Sequence, residues 1–256
     1  MYKPENNSKR FKKKISSYYT NNGYFTRLSI GSTSQSGRNN SGSITVRHRN
    51  KGVKKSFYNV DRFRNFTNKM SICINIRKAP KINCFIALIK YSNGVFSYIL
   101  CSHGFKPGDY TYTSIRPPKF SLNYNSNCSI LLKYLNCNVI FFNLGLKPHQ
   151  YGKYARSAGS FCKLININIE RNFAKIMLPT GSFKIISIYC VVSLGRASNI
   201  FYKTQFFSKA GYSRNIGFRP SVRGVAMNPV DHPHGGRTKS NSPEVTPWGK
   251  ITKKNH

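Results

Sequence analysis

A short run near the C-terminus carries the side chains that acid–base or metal chemistry needs. Asp231, His232 and His234 bring a carboxylate and two imidazoles close together in sequence. Such a trio could orient a general base or ligate a divalent metal. Neighbouring side chains of an extended chain point to opposite sides, however, so Asp231 is badly placed to orient His232 as in a catalytic triad. Since the chain has only 6 Asp and Glu residues, we predict no catalytic residue, no metal site and no enzyme.

These histidines lie within residues 219–236, which read RPSVRGVAMNPVDHPHGG. The segment has neither helical nor strand periodicity. Its prolines withhold amide donors, and its glycines let the backbone approach a surface closely. Arg219, Arg223 and Arg237 flank or interrupt it. The pattern predicts a segment that lies against a polyanionic surface.

The charge of the whole chain indicates the same kind of partner. Its 42 Lys and Arg residues face 6 acidic ones, for a formal net charge of +36. Nucleic acid supplies counter-charge at about one phosphate per 1.7 Å of duplex. An anionic membrane is the rival, but the apolar run 185–192 falls far short of the roughly 20 residues that cross a bilayer. We therefore expect no membrane anchor, and we interpret the basic N-terminus as a solvated or RNA-binding arm rather than a secretory signal.

Several motifs together resemble one protein family. VRGVAMNPVDHPHGG followed by PEVTPWGK is similar to the C-terminal region of the universal L-two (L2) family of bacterial-type large-subunit ribosomal proteins. GRNNSGSITVRHR, IALIKYSNGVFSYIL, KPGD, YARSAGS and SKAG continue the resemblance upstream, in family order. One departure is that Arg237 stands where the family has the third glycine of its HPHGGG motif.

The resemblance implies a structural constituent of the large ribosomal subunit. Such a protein would bind large-subunit rRNA, support assembly of the peptidyl-transferase region, and promote subunit association during translation. Its partners would be that rRNA and other ribosomal proteins, and it would not be a homo-oligomer. We expect no cofactor, although Mg²⁺ or K⁺ could bridge RNA contacts.

The candidate RNA-binding residues combine arginine and lysine for phosphates with amides and imidazoles for base edges. Small residues around Arg156 permit close approach of the backbone. The candidates are Arg38, Asn39, Asn40, Arg47, His48, Arg49, Lys153, Arg156, Ser157, Lys209, Arg214, Arg219, Arg223, Asn228, His232, His234 and Arg237.

The elements that must position these residues are predicted to be strands. Short apolar runs alternate with turn signals at 44–46, 72–76, 85–91, 95–100, 130–132, 139–144, 164–169, 174–178 and 183–192. Asn93-Gly94 predicts a two-residue type I′ hairpin, and Pro179-Thr180-Gly181 predicts a second turn. Helical periodicity is scarce, so we predict an all-β chain of small antiparallel barrels.

The resemblance refines this architecture to an OB-type barrel followed by an SH3-like barrel. The implied domains are an extended basic arm at 1–40, the OB-like RNA-binding barrel at 41–118, the SH3-like barrel at 119–196 and an extended C-terminal RNA-binding region at 197–256.

Cysteine usage and overall composition indicate the compartment. The 7 cysteines never form a CxxC pair, which predicts buried free thiols in a reducing compartment rather than a zinc cluster or disulfide frame. The chain is rich in Asn, Lys, Ile, Phe and Tyr, the amino acids of AT-rich codons. Together with the bacterial-type motifs, this predicts a mitochondrial ribosome in the matrix, with a plastid-type organelle as the alternative.

Two other functions remain open from sequence alone. A free single-strand RNA-binding protein would share the charge and the interleaved aromatic residues. An enzyme that depends on a metal or a histidine would instead use the Asp231–His234 run.

Overall fold

The computed structural model describes residues 26–64, 66–115, 127–204, 209–236 and 243–252. Most of the predicted N-terminal arm and Arg237 lie outside these residues. The described chain divides into two compact units. The first unit, called here the β unit, holds the residues up to Thr33 and those from Lys54 to 208. The second, called here the basic unit, joins Ser34–Val53 to the residues from Lys209 onward.

Strands dominate the β unit, which confirms the all-β prediction. In the described residues they are β1 (Ser29–Ser32), β2 (Lys55–Tyr58), β3 (Met70–Lys78), β4 (Phe85–Tyr91), β5 (Phe96–Leu100), β6 (Tyr110–Ser114), β7 (Ser129–Leu131), β8 (Ile140–Phe142), β9 (Cys162–Asn168), β10 (Phe173–Met177), β11 (Phe183–Ser187) and β12 (Val191–Leu194). Short 3-10 helices occupy Thr26–Leu28, Leu132–Tyr134 and Ile200–Thr204. β1 and β2 pair with each other, and the other strands follow the order β11-β10-β9-β8-β12-β7-β6-β3-β4-β5.

Strand β4 shows why the N-terminal half of this sheet folds around two apolar layers. Successive strand side chains point to opposite faces. Phe85, Ala87 and Ile89 pack in one buried cluster, whereas Ile86 and Leu88 pack in another. Both faces of β4 are therefore covered, and its sequence FIALIKY is almost continuously apolar for that reason.

The C-terminal half has a single core. Its buried side chains come from every strand of that half and include Ile130, Phe141, Leu164, Ile176, Ile186 and Val192. The two halves meet where β6 and β7 pair in parallel, with Thr113 opposite Ser129. They correspond to the predicted OB-type and SH3-like barrels, in that order along the chain.

Several local predictions differ from the structure. Gly94 has φ of +82° but Asn93 has no positive φ, so the β4–β5 turn is not type I′. The Gly94 amide donates to the Tyr91 carbonyl at 2.9 Å, and the Tyr91 amide donates to the Val95 carbonyl at 2.9 Å. These bonds define a three-residue loop that ends in a left-handed glycine. The predicted turn at Pro179–Gly181 is confirmed, since the Gly181 amide donates to the Leu178 carbonyl at 2.9 Å.

Two predicted strands also need correction. Residues 44–46 form only an isolated bridge between Ile44 and Arg38. The run 183–192 is two strands, β11 and β12, because the chain turns where the Cys190 amide donates to the Ser187 carbonyl at 3.3 Å. No glycine or proline marks that reversal in the sequence.

The cysteines are free thiols, as predicted, and most of them are buried, although Cys137 is exposed and Cys128 is half-buried. Burial raises the pKa of the Cys73 and Cys162 thiols to about 12 and that of Cys190 to about 11.

The basic unit contains the one α-helix of the described chain, α1 (Ala210–Ile216), which was not predicted. A 3-10 helix follows at Gly224–Ala226. No helix in the described ranges is both long and apolar enough to cross a membrane.

Candidate nucleic-acid interface

A tight turn shapes the first basic segment of the basic unit. Gly37, at φ +79°, offers its carbonyl to the amides of Thr45 at 2.9 Å and Val46 at 3.0 Å. A Cβ at Gly37 would collide with the Val46 carbonyl, so the turn requires glycine. The turn leaves Arg47, which follows it, exposed to solvent.

Backbone pairing then joins this segment to one that lies far away in sequence. The Asn50 amide donates to the Gly217 carbonyl at 2.9 Å, and the Arg219 amide donates to the His48 carbonyl at 3.0 Å. Gly217 has φ of +110° and ends α1. A Cβ on it would stand 2.9 Å from the Asn50 carbonyl oxygen. Glycine therefore permits both the helix end and the close approach of the two chains.

Aromatic rings orient two of the guanidinium groups. The Arg49 guanidinium lies 4.5 Å from the centre of the Phe218 ring, and that of Arg47 lies 4.9 Å from the Trp248 ring. A cation–π contact fixes the direction of an arginine without neutralising its charge. Both arginines consequently keep their full charge for an anionic partner.

Two predicted residues also have internal roles in the turn. The Arg38 guanidinium donates to the Gly42 carbonyl at 2.8 Å. The side-chain oxygen of Asn39 accepts from the Ser43 amide at 2.9 Å and from the Ser41 hydroxyl at 2.8 Å. Asn39 therefore shapes the turn through its oxygen, whereas Asn40 is exposed.

The histidine loop is ordered by its own hydrogen bonds. Nδ1 of His232 accepts from the backbone amide of His234 at 3.0 Å. Nε2 of His234 accepts from the backbone amide of Val245 at 3.0 Å. The two rings lie 4.9 Å apart and are tilted by 54°. Each ring therefore has one nitrogen engaged as the acceptor of a backbone hydrogen bond. The nitrogens that could have acted as bases are engaged by the backbone.

The absence of a side chain at Gly224 lets the His232 ring pack where it does. A Cβ on Gly224 would stand 2.5 Å from Cε1 and 2.7 Å from Cγ of His232. Such distances are far inside van der Waals contact, so the ring rests directly on the Gly224 backbone. The loop further depends on the Gly236 amide, which donates to the Met227 carbonyl at 3.1 Å.

The β unit carries the remaining candidate cluster. The Lys153 amide donates to the Leu144 carbonyl at 2.8 Å, and Ala155 has φ of +51°. The side chains of Lys153 and Ser157 are exposed, and that of Arg156 is half-buried. Burial, and then the positive charge of Arg62, lower the pKa of Arg156.

The predicted candidates thus separate between the two units. The basic unit holds Arg38, Asn39, Asn40, Arg47, His48, Arg49, Lys209, Arg214, Arg219, Arg223, Asn228, His232 and His234. The β unit holds Lys153, Arg156 and Ser157. Arg237 lies outside the described residues.

Sequence reasoning missed Arg62 and Trp248 as parts of these clusters. Trp248 had a signal, because it stands in the PEVTPWGK motif, whereas nothing near Arg62 suggested its neighbour Arg156. Within the ranges that the structure describes, no group of three or more His, Cys, Asp or Glu side chains could hold a metal ion.

Comparison with known proteins gives a consistent family match. Residues 26–113 match the family model described as Ribosomal Proteins L2, RNA binding N-terminal domain. Residues 125–249 match Ribosomal Proteins L2, C-terminal domain.

Curated relatives cover most of the chain. The large ribosomal subunit protein uL2m of Reclinomonas americana is 39% identical over 89% of this chain and 81% of its own length. The large ribosomal subunit protein uL2 of Orientia tsutsugamushi is 40% identical over 89% of this chain and 82% of its own. The uL2 protein of Hyphomonas neptunium is 36% identical over 88% of this chain and 80% of its own length.

Proposed function

Because the chain belongs to the L2 family of ribosomal proteins, we propose that it is a structural constituent of a large ribosomal subunit and binds large-subunit rRNA. Its partners are then that rRNA and neighbouring ribosomal proteins. In this role it supports assembly of the peptidyl-transferase region and the association of the subunits.

One observation supports RNA binding above all others. The basic unit joins two segments that are distant in sequence and presents Arg47, Arg49, Arg219 and Arg223 on exposed positions. Rings orient two of these guanidinium groups without neutralising them. Arginine forks suit phosphate oxygens, and each neutralised phosphate releases condensed counterions. Preordered cations lose less conformational entropy when RNA binds.

The proposal assigns no catalysis to the chain. His232 and His234 use ring nitrogens to hold the loop that carries them. They therefore act as architectural residues at the RNA surface, together with Asn228. Any Mg²⁺ or K⁺ at the interface would bridge RNA contacts and would not be a resident cofactor.

A mitochondrial ribosome is the proposed location. The composition favours an AT-rich genome, and the relative in Reclinomonas americana carries the name uL2m. Bacterial relatives of similar identity agree with a bacterial-type subunit. A plastid-type organelle is the second candidate.

Sedimentation tests the proposal directly. Lysate of the source organelle is run through a sucrose gradient at moderate and then high salt, and the chain is followed by antibody. Comigration with the large subunit at moderate salt is expected. Recovery near the top of the gradient would refute the ribosomal role and favour a free RNA-binding protein.

Charge variants of the full chain sharpen this test. Changing Arg47, Arg49, Arg219 and Arg223 to Gln removes four phosphate contacts under the proposal. The slope of log K against log salt for large-subunit rRNA should then fall by about 3, at roughly 0.7 to 0.9 per contact. The matched control changes four cations on or beside strands of the β unit that are not candidates: Lys133, Lys163, Arg171 and Lys175. An equal loss of slope in both variants would contradict a specific role for the basic unit.

A further inference from the structure

The β unit has a surface pocket that none of the predicted sites includes. Its volume is about 450 Å³. Three aromatic rings line it, together with one arginine and several smaller polar and aliphatic side chains. Its lining residues include Phe57, Phe63, Tyr151, Arg62, Asn59 and Asp61.

Hydrogen bonds hold the walls of this pocket in place. The Gly152 amide donates to the Arg62 carbonyl at 3.0 Å, and the side-chain amide of Asn143 donates to the same carbonyl at 3.4 Å. The Asp61 carboxylate accepts from the Phe63 amide at 2.9 Å. These bonds hold the segment that carries Phe63 against the segment that carries Tyr151, although the two residues lie far apart in sequence.

The aromatic rings face the pocket and remain accessible. Phe57, Phe63 and Tyr151 are 40%, 46% and 45% exposed. The rings of Phe63 and Tyr151 lie 5.6 Å apart at 67°, edge to face. An edge-to-face pair leaves one ring face open, and an open face on a hydrogen-bonded wall suits a flat aromatic ligand.

Cations surround the same rings. The Lys81 ammonium lies 5.6 Å from the centre of the Phe57 ring. Arg62 also lines the pocket. A cation at the rim of a pocket favours a ligand that carries a negative charge. A flat ligand that carries a negative charge would satisfy both the rings and the cations.

We propose that this pocket receives one unstacked nucleotide of the bound RNA, with its base stacked on the open ring face of the Phe63–Tyr151 pair and its phosphate at Arg62. The inference rests on the proposed function and adds a specific contact to it. The Asn59 amide and the Asp61 carboxylate are placed to hydrogen-bond the base edge, which is how proteins read splayed-out bases. An apolar peptide or a lipid tail would make no use of the Arg62 guanidinium.

The test compares aromatic and charge variants of the full chain in binding to transcribed large-subunit rRNA. In the stacking variant, Phe63 and Tyr151 both become Leu. Loss of one stacked base should weaken binding by about 5- to 150-fold, with the salt slope unchanged. In the charge variant, Arg62→Gln should lower the salt slope by about 0.7 to 0.9.

Two controls keep the result interpretable. Phe183→Leu removes an aromatic residue that is even more exposed and also has a nearby lysine, Lys175 at 5.0 Å, but lies outside the pocket. This variant should bind like the wild type. Tyr151→Phe keeps the ring and should retain wild-type affinity. If Tyr151→Phe binds as weakly as the stacking variant, ring stacking is refuted.

The outcomes separate this inference from the proposed function. If the wild-type chain shows no salt-dependent binding to the rRNA, the proposed function fails and the pocket assignment fails with it. If the wild type binds but the stacking variant binds equally well, only the pocket assignment is wrong. An excess of free nucleoside monophosphates distinguishes the source of the ligand. We expect no competition with the rRNA, and strong competition would show that the pocket takes free nucleotides.

Discussion

Substitution of Gly224 should disorder the histidine loop selectively. In Gly224→Ala, the new Cβ would stand 2.5 Å from Cε1 of His232, and the nearest neighbours of that Cβ all belong to this ring. The ring must therefore move. When it moves, Nδ1 loses the amide of His234, which it accepts at 3.0 Å.

The expected magnitude has two parts. Loss of the hydrogen bond costs about 0.5 to 1.5 kcal/mol, and overpacking costs about 1 to 3 kcal/mol. Together they reduce the free energy of local opening by about 1.5 to 4.5 kcal/mol, which corresponds to roughly 13- to 2,000-fold faster exchange. If the loop is less stable than that, its protection should vanish altogether.

Hydrogen–deuterium exchange of the full chain measures this local opening. Protection should fall in peptides that cover residues 227–236, while peptides of the β unit keep theirs. Gly211→Ala is the matched control, because a Cβ there meets nothing within 4 Å and its φ is not positive. That substitution should leave the histidine loop unchanged.

A double-mutant cycle tests whether the clash with the His232 ring causes the loss of protection. In a His232→Ala background the ring is absent, so adding Gly224→Ala should change exchange very little. If the two substitutions have additive effects, the clash with the ring is not the cause and the argument fails.

Three further predictions follow from the same structure. Gly217→Ala should separate the two segments of the basic unit, because Gly217 has φ of +110° and a Cβ there would stand 2.9 Å from the Asn50 carbonyl oxygen. We expect at least about 1 kcal/mol of local destabilisation. Unchanged hydrogen–deuterium exchange at residues 48–53 would contradict this. A thiol reagent at pH 8 should label exposed Cys137 first, while buried Cys73, whose pKa is raised from 9.0 to about 12, stays unreactive. Because the pKa of Cys73 is higher in the folded state, its contribution to stability is complete below pH 9 and is lost as pH rises toward 12. If Cys73 is labelled as fast as Cys137 below pH 9, Cys73 is not buried. Arg49→Gln should lower the salt slope of rRNA binding by about 0.7 to 0.9 without unfolding the unit, and an unchanged slope would show that this guanidinium does not touch phosphate.

Local sequence signals were sufficient for the strands that carry a clear pattern. The apolar run 85–91 matches β4 at both ends, and Pro179–Gly181 forms the predicted turn. Where the pattern depends on distant contacts, prediction failed. Nothing in TYTS, residues 111–114, is apolar enough to mark β6, which is a strand because it pairs with β3 and β7.

The candidate interface shows the same division. Composition and short motifs were enough to select the basic segments and their arginines. They could not reveal that residues 48–53 pair with 215–219, since this pairing is set by backbone hydrogen bonds and by two glycines, Gly52 and Gly217, that approach each other closely. Nor could they reveal the aromatic pocket, whose walls come from residues 57–63 and from Tyr151.

Two acidic side chains of the β unit are used to shape loops. Asp61 accepts the backbone amides of Phe63 and Arg64, each at 2.9 Å. Asp109 accepts the backbone amide of Lys106 at 2.7 Å in the KPGD turn. These carboxylates shape loops through the backbone, so their hydrogen bonds would survive when the chain meets an anion. RNA binding at Arg62 would then need no rearrangement of those turns, and the free-energy gain would come mainly from the counterions that the RNA releases. Affinity should accordingly vary linearly on a log–log plot against salt, and curvature at low salt would indicate that internal ion pairs must break first.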